Sequence, residues 1–142
     1  MKKEYLMNEP NHIELSLPVN SAYITTVRHI VTSIADNAGF GADEIDDMEV
    51  AVCAACIYVI RNVFNIKMRN TKYNIRFIIS KCRMDICLDC PKLTCAPNEE
   101  NDIGLRLIQG LTEGMTVESE ENRFSMKFCK TRRNDLFREN TL

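Results

Sequence analysis

Seven cysteines in 142 residues are the first groups that could do chemistry: Cys53, Cys56, Cys82, Cys87, Cys90, Cys95 and Cys129. Two C-x-x-C spacings, Cys53/Cys56 and Cys87/Cys90, followed by Cys95, have the form of metal or redox sites. Their settings argue against that chemistry. The first pair falls within a helical pattern. Cys87 falls within a strand pattern, where residues three apart point to opposite faces. Cys90 and Cys95, in the loop that follows, are better placed, with Cys82 as a third candidate. The count is odd and the first dozen residues, "MKKEYLMNEPNH", contain no apolar stretch, so neither a secretory signal nor a disulfide framework is expected. The expectation is free thiols acting as small hydrophobes, with no metal site.

The second candidate is the run "DEIDDMEVAVCAACIYVIRN". Asp43, Glu44, Asp46 and Asp47 crowd a helix start, where the dipole favours negative charge. They read as a solvated first turn. The apolar run behind them reads as a helix with one face for the core and a second face for another purpose.

Other elements must position these residues. Ile13, Leu15 and Leu17 alternate with Glu14 and Ser16, which predicts a half-buried strand from His12 to Leu17, ended by Pro18. Asn20 or Ser21 can cap the next helix. Its stripe is Ile24, Val27, Val31, Ile34 and Ala38, and Gly39 stops it. The helix carrying the acidic run starts near Ala42 and reaches about Asn65. Tyr73, Ile75, Phe77 and Ile79 mark one strand; Met84, Ile86 and Leu88 mark another. "CPKLTCAPNEEND" is a loop. A short helix from about Ile103 carries Leu107, Ile108 and Leu111 and is closed by Gly114. "MTVESEENRFSMKFCK" reads as a hairpin, with Phe124, Met126 and Phe128 on one face.

This order predicts one α+β domain over 1–142, with frayed ends at about 1–10 and 131–142. Its economical packing is a two-layer sandwich, a mixed, mostly antiparallel sheet with helices on one face. Hydrophobic residues are 45% and charged residues 27%, an ordinary globular balance, and the net charge of −2 gives no pull toward nucleic acid or anionic membrane. No window approaches the roughly 18 apolar residues of a membrane helix. The expected setting is the cytoplasm.

Two stretches then carry a resemblance. "LPVNSAYITTVRHIV", with Pro18, Tyr23 and Arg28, and "DEIDDMEVAVCAAC", with Ala51, Val52, Ala55 and Cys56, resemble the anti-sigma factor serine kinases of bacterial sporulation and general stress response. That family belongs to the histidine-kinase-like ATPase superfamily (the Bergerat fold), shared with gyrase, Hsp90 and MutL. The resemblance runs from about Ile13 to Lys130.

For the nucleotide site the resemblance implies mostly losses. In the family, the second helix carries a Glu as base and, four residues later, an Asn that holds magnesium. A further step of four often brings a His. This spacing keeps all three on one helix face. Here the stripe reads Ala54, Tyr58, Asn62. Alanine cannot transfer a proton and a phenol is a poor magnesium ligand. Tyr58 reads as a plug in the vacated pocket; Asn62 is a displaced amide. The family's Asp-x-Gly motif, which meets adenine, is reduced to Asp89 in "LDCPKLTC", with Pro91 where backbone freedom is wanted. The phosphate-cradling Gly-x-Gly segment survives as "NDIGLRLIQGL", with Gly104 kept and Asp102 replacing the preceding glycine. A carboxylate there repels a triphosphate, and the lid between the two motifs is short.

The resemblance thus implies a vestigial nucleotide pocket of Tyr58, Asn62, Asp89 and Gly104, with no catalytic residue. No cofactor is expected; ATP and magnesium belong only to a site that still functions. The expected partner is a sigma factor or an anti-anti-sigma-like protein, met partly through Arg28, and a homodimer fits the family's habit. Two competitors are an active ATP-dependent serine kinase with atypical ligands, and a thiol or metal sensor using Cys87, Cys90 and Cys95.

Overall fold

A computed structural model of the chain describes residues 10–62, 71–91, 102–120 and 123–133. Strand β1 (Asn11–Pro18) is followed by a single 3₁₀ turn (Ser21–Tyr23), then helices α1 (Ile24–Asn37) and α2 (Ala42–Asn62). Next come β2 (Lys72–Ile79), β3 (Arg83–Pro91), helix α3 (Ile103–Leu111), β4 (Glu113–Glu120) and β5 (Arg123–Thr131). The five strands form one sheet in the order β1-β2-β3-β5-β4, and each neighbouring pair is antiparallel. A mixed sheet was expected; the described sheet is antiparallel throughout. No helix of the described residues is long and apolar enough to cross a membrane.

Alternation decides which sheet face meets the helices. Tyr73, Ile75 and Phe77 on β2, Met84, Ile86 and Leu88 on β3, and Phe124, Met126 and Phe128 on β5 are buried. They pack against Val27, Val31 and Ile34 of α1, Met48, Val52 and Val59 of α2, and Leu105 and Ile108 of α3 in one hydrophobic cluster. Period-2 strands and 3.6-period helices thus present matching apolar faces. Leu107, placed in the apolar set of α3 by sequence, is instead exposed.

The turns follow local chemistry. Asn20 caps the 3₁₀ turn, its Oδ1 accepting from the Ala22 amide at 2.9 Å. At the end of α1 the Gly39 amide donates to the Asp36 carbonyl and the Phe40 amide to the Ala35 carbonyl, both at 3.1 Å. With Gly39 at φ +88° and Phe40 buried, this is a Schellman stop. Gly39 is needed twice, since a Cβ there would stand 2.6 Å from Nη1 of Arg132, which donates to the Ala38 carbonyl. Gly114 does not end α3 as expected. It lies in β4 at φ +62°, where the β4–β5 register shifts between Glu113 and Thr116.

Two acidic residues expected in a solvated turn are structural. Glu44 is buried and accepts from the Gly41 amide at 2.9 Å and the Arg133 amide at 2.6 Å. Asp47 accepts from Lys130 at 2.9 Å. Asp43 and Asp46 remain exposed. These contacts also correct the expected fraying from residue 131. Thr131 donates to Glu113 at 2.6 Å, and the Arg132 amide donates to the Cys82 carbonyl at 2.7 Å. The expected helix end near Asn65, the lid-like loop and its Cys95, and the outer parts of both termini lie outside the described residues.

Lys130 joins three elements. Its ammonium is buried, and besides Asp47 of α2 it donates to the carbonyl of Leu111, at the C-terminus of α3, at 2.7 Å. Lys130→Met keeps the apolar stem and removes both bonds. The expected cost is about 2 kcal/mol, read from urea unfolding, since hydrogen bonds to charged groups contribute roughly 1.5–3 kcal/mol and half-exposed Asp47 recovers water. A loss below about 0.5 kcal/mol, the scale of an ordinary surface change, would show that Lys130 does not join the layers.

Candidate functional site

The residues singled out by sequence divide between two places. Ala54 and Tyr58 lie on the side of α2 that turns toward α3. Tyr58 is buried, and its ring packs on Phe124 of β5 with centroids 5.5 Å apart and planes 30° off parallel. Asn62, one turn on, donates its side-chain amide to the Tyr58 carbonyl at 2.8 Å. That amide nitrogen is therefore turned onto its own helix.

The start of α3 closes on the same spot. Asp102 is the N-cap, in extended conformation, and its Oδ1 accepts from the Leu105 amide at 3.0 Å. Gly104 follows within the first turn. A Cβ on Gly104 would stand 3.1 Å from Asp102 Oδ1 and 3.9 Å from the carbonyl oxygen of Ala54. The missing side chain leaves room for the Asp102 carboxylate to cap the helix, and the α3 N-terminus lies against α2 at Ala54. Sequence reasoning treated Asp102 only as a repulsive charge. A carboxylate directly before an apolar helical run is also an N-cap signal, and that signal was available.

Asp89 does not join this group. Within β3 it alternates with the buried Leu88 and Cys90 and stands opposite Asn74 and Ser125. It lines a polar groove on the outer face of the sheet, with Glu14, Arg76 and Lys127 among its neighbours there. The inward-facing residue at this end of β3 is Cys90. Period 2 separates Asp89 from Tyr58 and Gly104 by the thickness of the sheet.

Arg28 is exposed on α1, beside α2. Its positive charge and the negative charge of Glu49 act in opposite senses on the Cys53 thiol, which burial pushes up. Thr32, one turn on, donates to the Glu49 carboxylate and to the Arg28 carbonyl, fastening α1 to α2. Arg28 is thus held on a firm helix pair and remains accessible.

The thiols are tuned for packing. Burial pushes Cys56 from 9.0 up to about 12, with the Tyr73 hydroxyl opposing it, and pushes Cys90 up to about 11. Cys87 and Cys129 also move up through burial, although Arg76 and Lys127 oppose this at Cys87 and Arg83 at Cys129. Thiols raised in this way remain protonated at neutral pH and are poor nucleophiles. Among the described residues no group of three His, Cys, Asp or Glu side chains could hold a metal ion. Tyr73 is fully buried, and its hydroxyl faces the Cys56 thiol of α2.

No protein-family model matches the chain. Serine-protein kinase RsbW of Bacillus subtilis is 26% identical over 81 residues, covering 57% of this chain and 50% of that protein. RsbW of Bacillus velezensis is 22% identical over 127 residues, covering 77% and 79%. RsbW of Halalkalibacterium halodurans is 32% identical over 59 residues, covering 42% and 36%. The chain thus spans about half the length of the Bacillus subtilis relative. A crystal structure of RsbU and RsbW domains from Mycobacterium tuberculosis superposes with a TM-score of 0.69 at 9% identity, over 84% of this chain and 32% of that one. A histidine kinase domain from a blue-light activated kinase of Erythrobacter litoralis gives 0.56 at 11% identity, over 82% and 62%. The fold is that of histidine-kinase-like ATPase domains.

The buried thiols predict a loss of stability in alkali. Because burial raises the folded-state value, the unfolded chain gives up its thiol protons first, from about pH 9. Above that point the unfolded state binds fewer protons, so stability falls until the folded thiols titrate, near 11 for Cys90 and 12 for Cys56. Urea midpoints should show no thiol contribution below pH 9 and should decline above it, with a shallower decline in Cys56→Ala. An unchanged slope in that variant would assign the alkaline loss to other groups.

Proposed function

We propose that this chain, a divergent relative of the RsbW serine-protein kinases, is a regulatory protein that controls transcription by binding other proteins and has a nucleotide site closed from within. The observation that carries this reading is the Asp102 carboxylate. It holds the Leu105 amide at the N-terminus of α3. That terminus is where backbone N–H groups would otherwise receive a phosphate.

The neighbouring residues support the same reading. The residues present do not fit a magnesium nucleotide. Ala54 offers no base, Tyr58 stacks on Phe124, and Asn62 turns its amide onto the Tyr58 carbonyl. Asp89 faces the far side of the sheet. A phosphate brought to Gly104 would meet a carboxylate already bound to the helix end, with charge repulsion added to the lost cap. The partner in this reading is a sigma factor or an anti-anti-sigma-like protein, and Arg28 lies on the accessible surface that would meet it.

Calorimetric titration of magnesium–ATP and ADP into the purified chain tests the closed site. The expected result is no saturable heat at millimolar nucleotide. The triple variant Ala54→Glu, Tyr58→Asn, Asp102→Gly should regain measurable binding. Saturable micromolar binding by the unaltered chain would overturn the reading in favour of an active kinase.

Arg28→Ala should leave the thermal midpoint unchanged, because the residue is exposed. It should weaken capture of a sigma factor or its antagonist at least several-fold in a quantitative pull-down. An unchanged capture profile would remove Arg28 from the contact surface.

A further inference from the structure

The outer face of the sheet carries a groove that neither the core nor the nucleotide pocket explains. Its volume is about 660 Å³, the size of a small-ligand site, and every side chain lining it is polar. Strand register builds it. Asn74 of β2, Asp89 of β3 and Ser125 of β5 stand opposite one another in one row across the sheet, and all three are half-buried. These short side chains form the floor. The next outward row on one side is Arg76, Cys87 and Lys127. On the other side β5 supplies Arg123, two residues before Ser125. Three cations thus surround one carboxylate, each a diagonal neighbour of Asp89 and none directly opposite it. The charges of Arg76 and Lys127 both reach the Cys87 thiol that lies between them.

These groups hold unused bonding capacity. Glu14 stands directly opposite Arg76, and Glu120 directly opposite Arg123. Opposite charges so placed on neighbouring strands ordinarily pair. Among the described residues, no side chain lining the groove makes a hydrogen bond or an ion pair. The same charges scattered on a convex surface would be solvated singly. Gathered in a concavity, with cations on two sides of an anion, they are complementary to a ligand that carries anion, cation and anion in that order. A simple polyanion does not fit, because the acidic edges on β1 and β4 bring the lining to four acids against three bases.

We infer that this groove binds a small zwitterion of the amino-dicarboxylate class, an acidic amino acid. One carboxylate lies between Arg76 and Lys127, the ammonium on Asp89 and the second carboxylate at Arg123, with Asn74 and Ser125 offering hydrogen bonds from the floor. The two cationic rows are four residues apart, about 13 Å along the strands. Long arginine and lysine side chains reaching inward from both rows close that distance to the span of such a molecule. The groove lies across the sheet from Tyr58 and Gly104, so this inference does not depend on whether the nucleotide site is closed.

Titration of L-glutamate and L-aspartate into the full chain at low salt, followed by calorimetry and amide chemical shifts, tests the assignment. At least one should saturate and should shift amides of β2, β3 and β5 around Asp89. Glutarate has the two carboxylates of glutamate and no amine, so it leaves Asp89 without a partner and should bind about tenfold more weakly than glutamate. Asp89→Asn should reverse that order, weakening glutamate and strengthening glutarate. Arg76→Gln should weaken both several-fold. Neither side chain belongs to the core, so far-UV circular dichroism should be unchanged in both variants. No saturable binding of either amino acid would overturn the proposal and leave the groove a solvated surface. Glutarate binding as tightly as glutamate would also overturn it, reducing the groove to a seat for anions. An unchanged order of affinities in Asp89→Asn would do the same, by removing Asp89 from the ligand.

Discussion

A charge taken out of water must be paired, and here Lys130 imposes that requirement on both layers. It sits on the inward row of β5, in line with Phe124, Met126 and Phe128, where the sheet otherwise presents only apolar groups. Its ammonium is satisfied only if the start of α2 supplies Asp47 and the end of α3 supplies the Leu111 carbonyl. Hydrophobic burial alone would tolerate small slides of the helices over the sheet, because apolar contact is not directional. A buried cation with two fixed acceptors does not. Glu44 repeats the principle one turn earlier, with two backbone amides converging on one buried carboxylate.

The candidate site inherits its geometry from that constraint. With α2 and the C-terminus of α3 both tied to Lys130, the N-terminus of α3 lies against Ala54, and the absent side chain of Gly104 leaves room there for the Asp102 cap. The space between helix and sheet at this point is taken by Tyr58 on Phe124, and the helix terminus by Asp102. Each of these contacts is locally favourable. An aromatic pair contributes about 0.5–1.5 kcal/mol beyond its burial, and an N-cap about 1 kcal/mol.

Much of this was legible in the sequence because it depends on short-range regularities. The inward rows of β2, β3 and β5 follow from alternation, and the Asn20 cap and Gly39 stop from single residues with known backbone preferences. The links that lock the layers were not legible. Lys130 and Asp47 lie 83 residues apart, and Arg133 and Glu44 lie 89 apart. No local pattern announces such a pair, so the acidic start of α2 read as solvated. Asp89 differs again. The resemblance assigned it to adenine, yet the alternation that placed Ile86 and Leu88 inward had already placed Asp89 outward. Where a family motif and a strand period disagree, the period has the stronger physical basis, since a one-residue shift would turn every core side chain of β3 to solvent.

A domain that binds a nucleotide draws stability from it by mass action, in proportion to the logarithm of ligand concentration over Kd. Its empty site is then a place of unmet hydrogen bonds and thin packing, held open for the ligand. A chain that fills the same place with its own groups gains the corresponding stability at all times and independently of any ligand. Under the function proposed above, Tyr58 and Asp102 have that character: one is a phenol stacked on Phe124, the other a carboxylate on the helix end where a phosphate would be received.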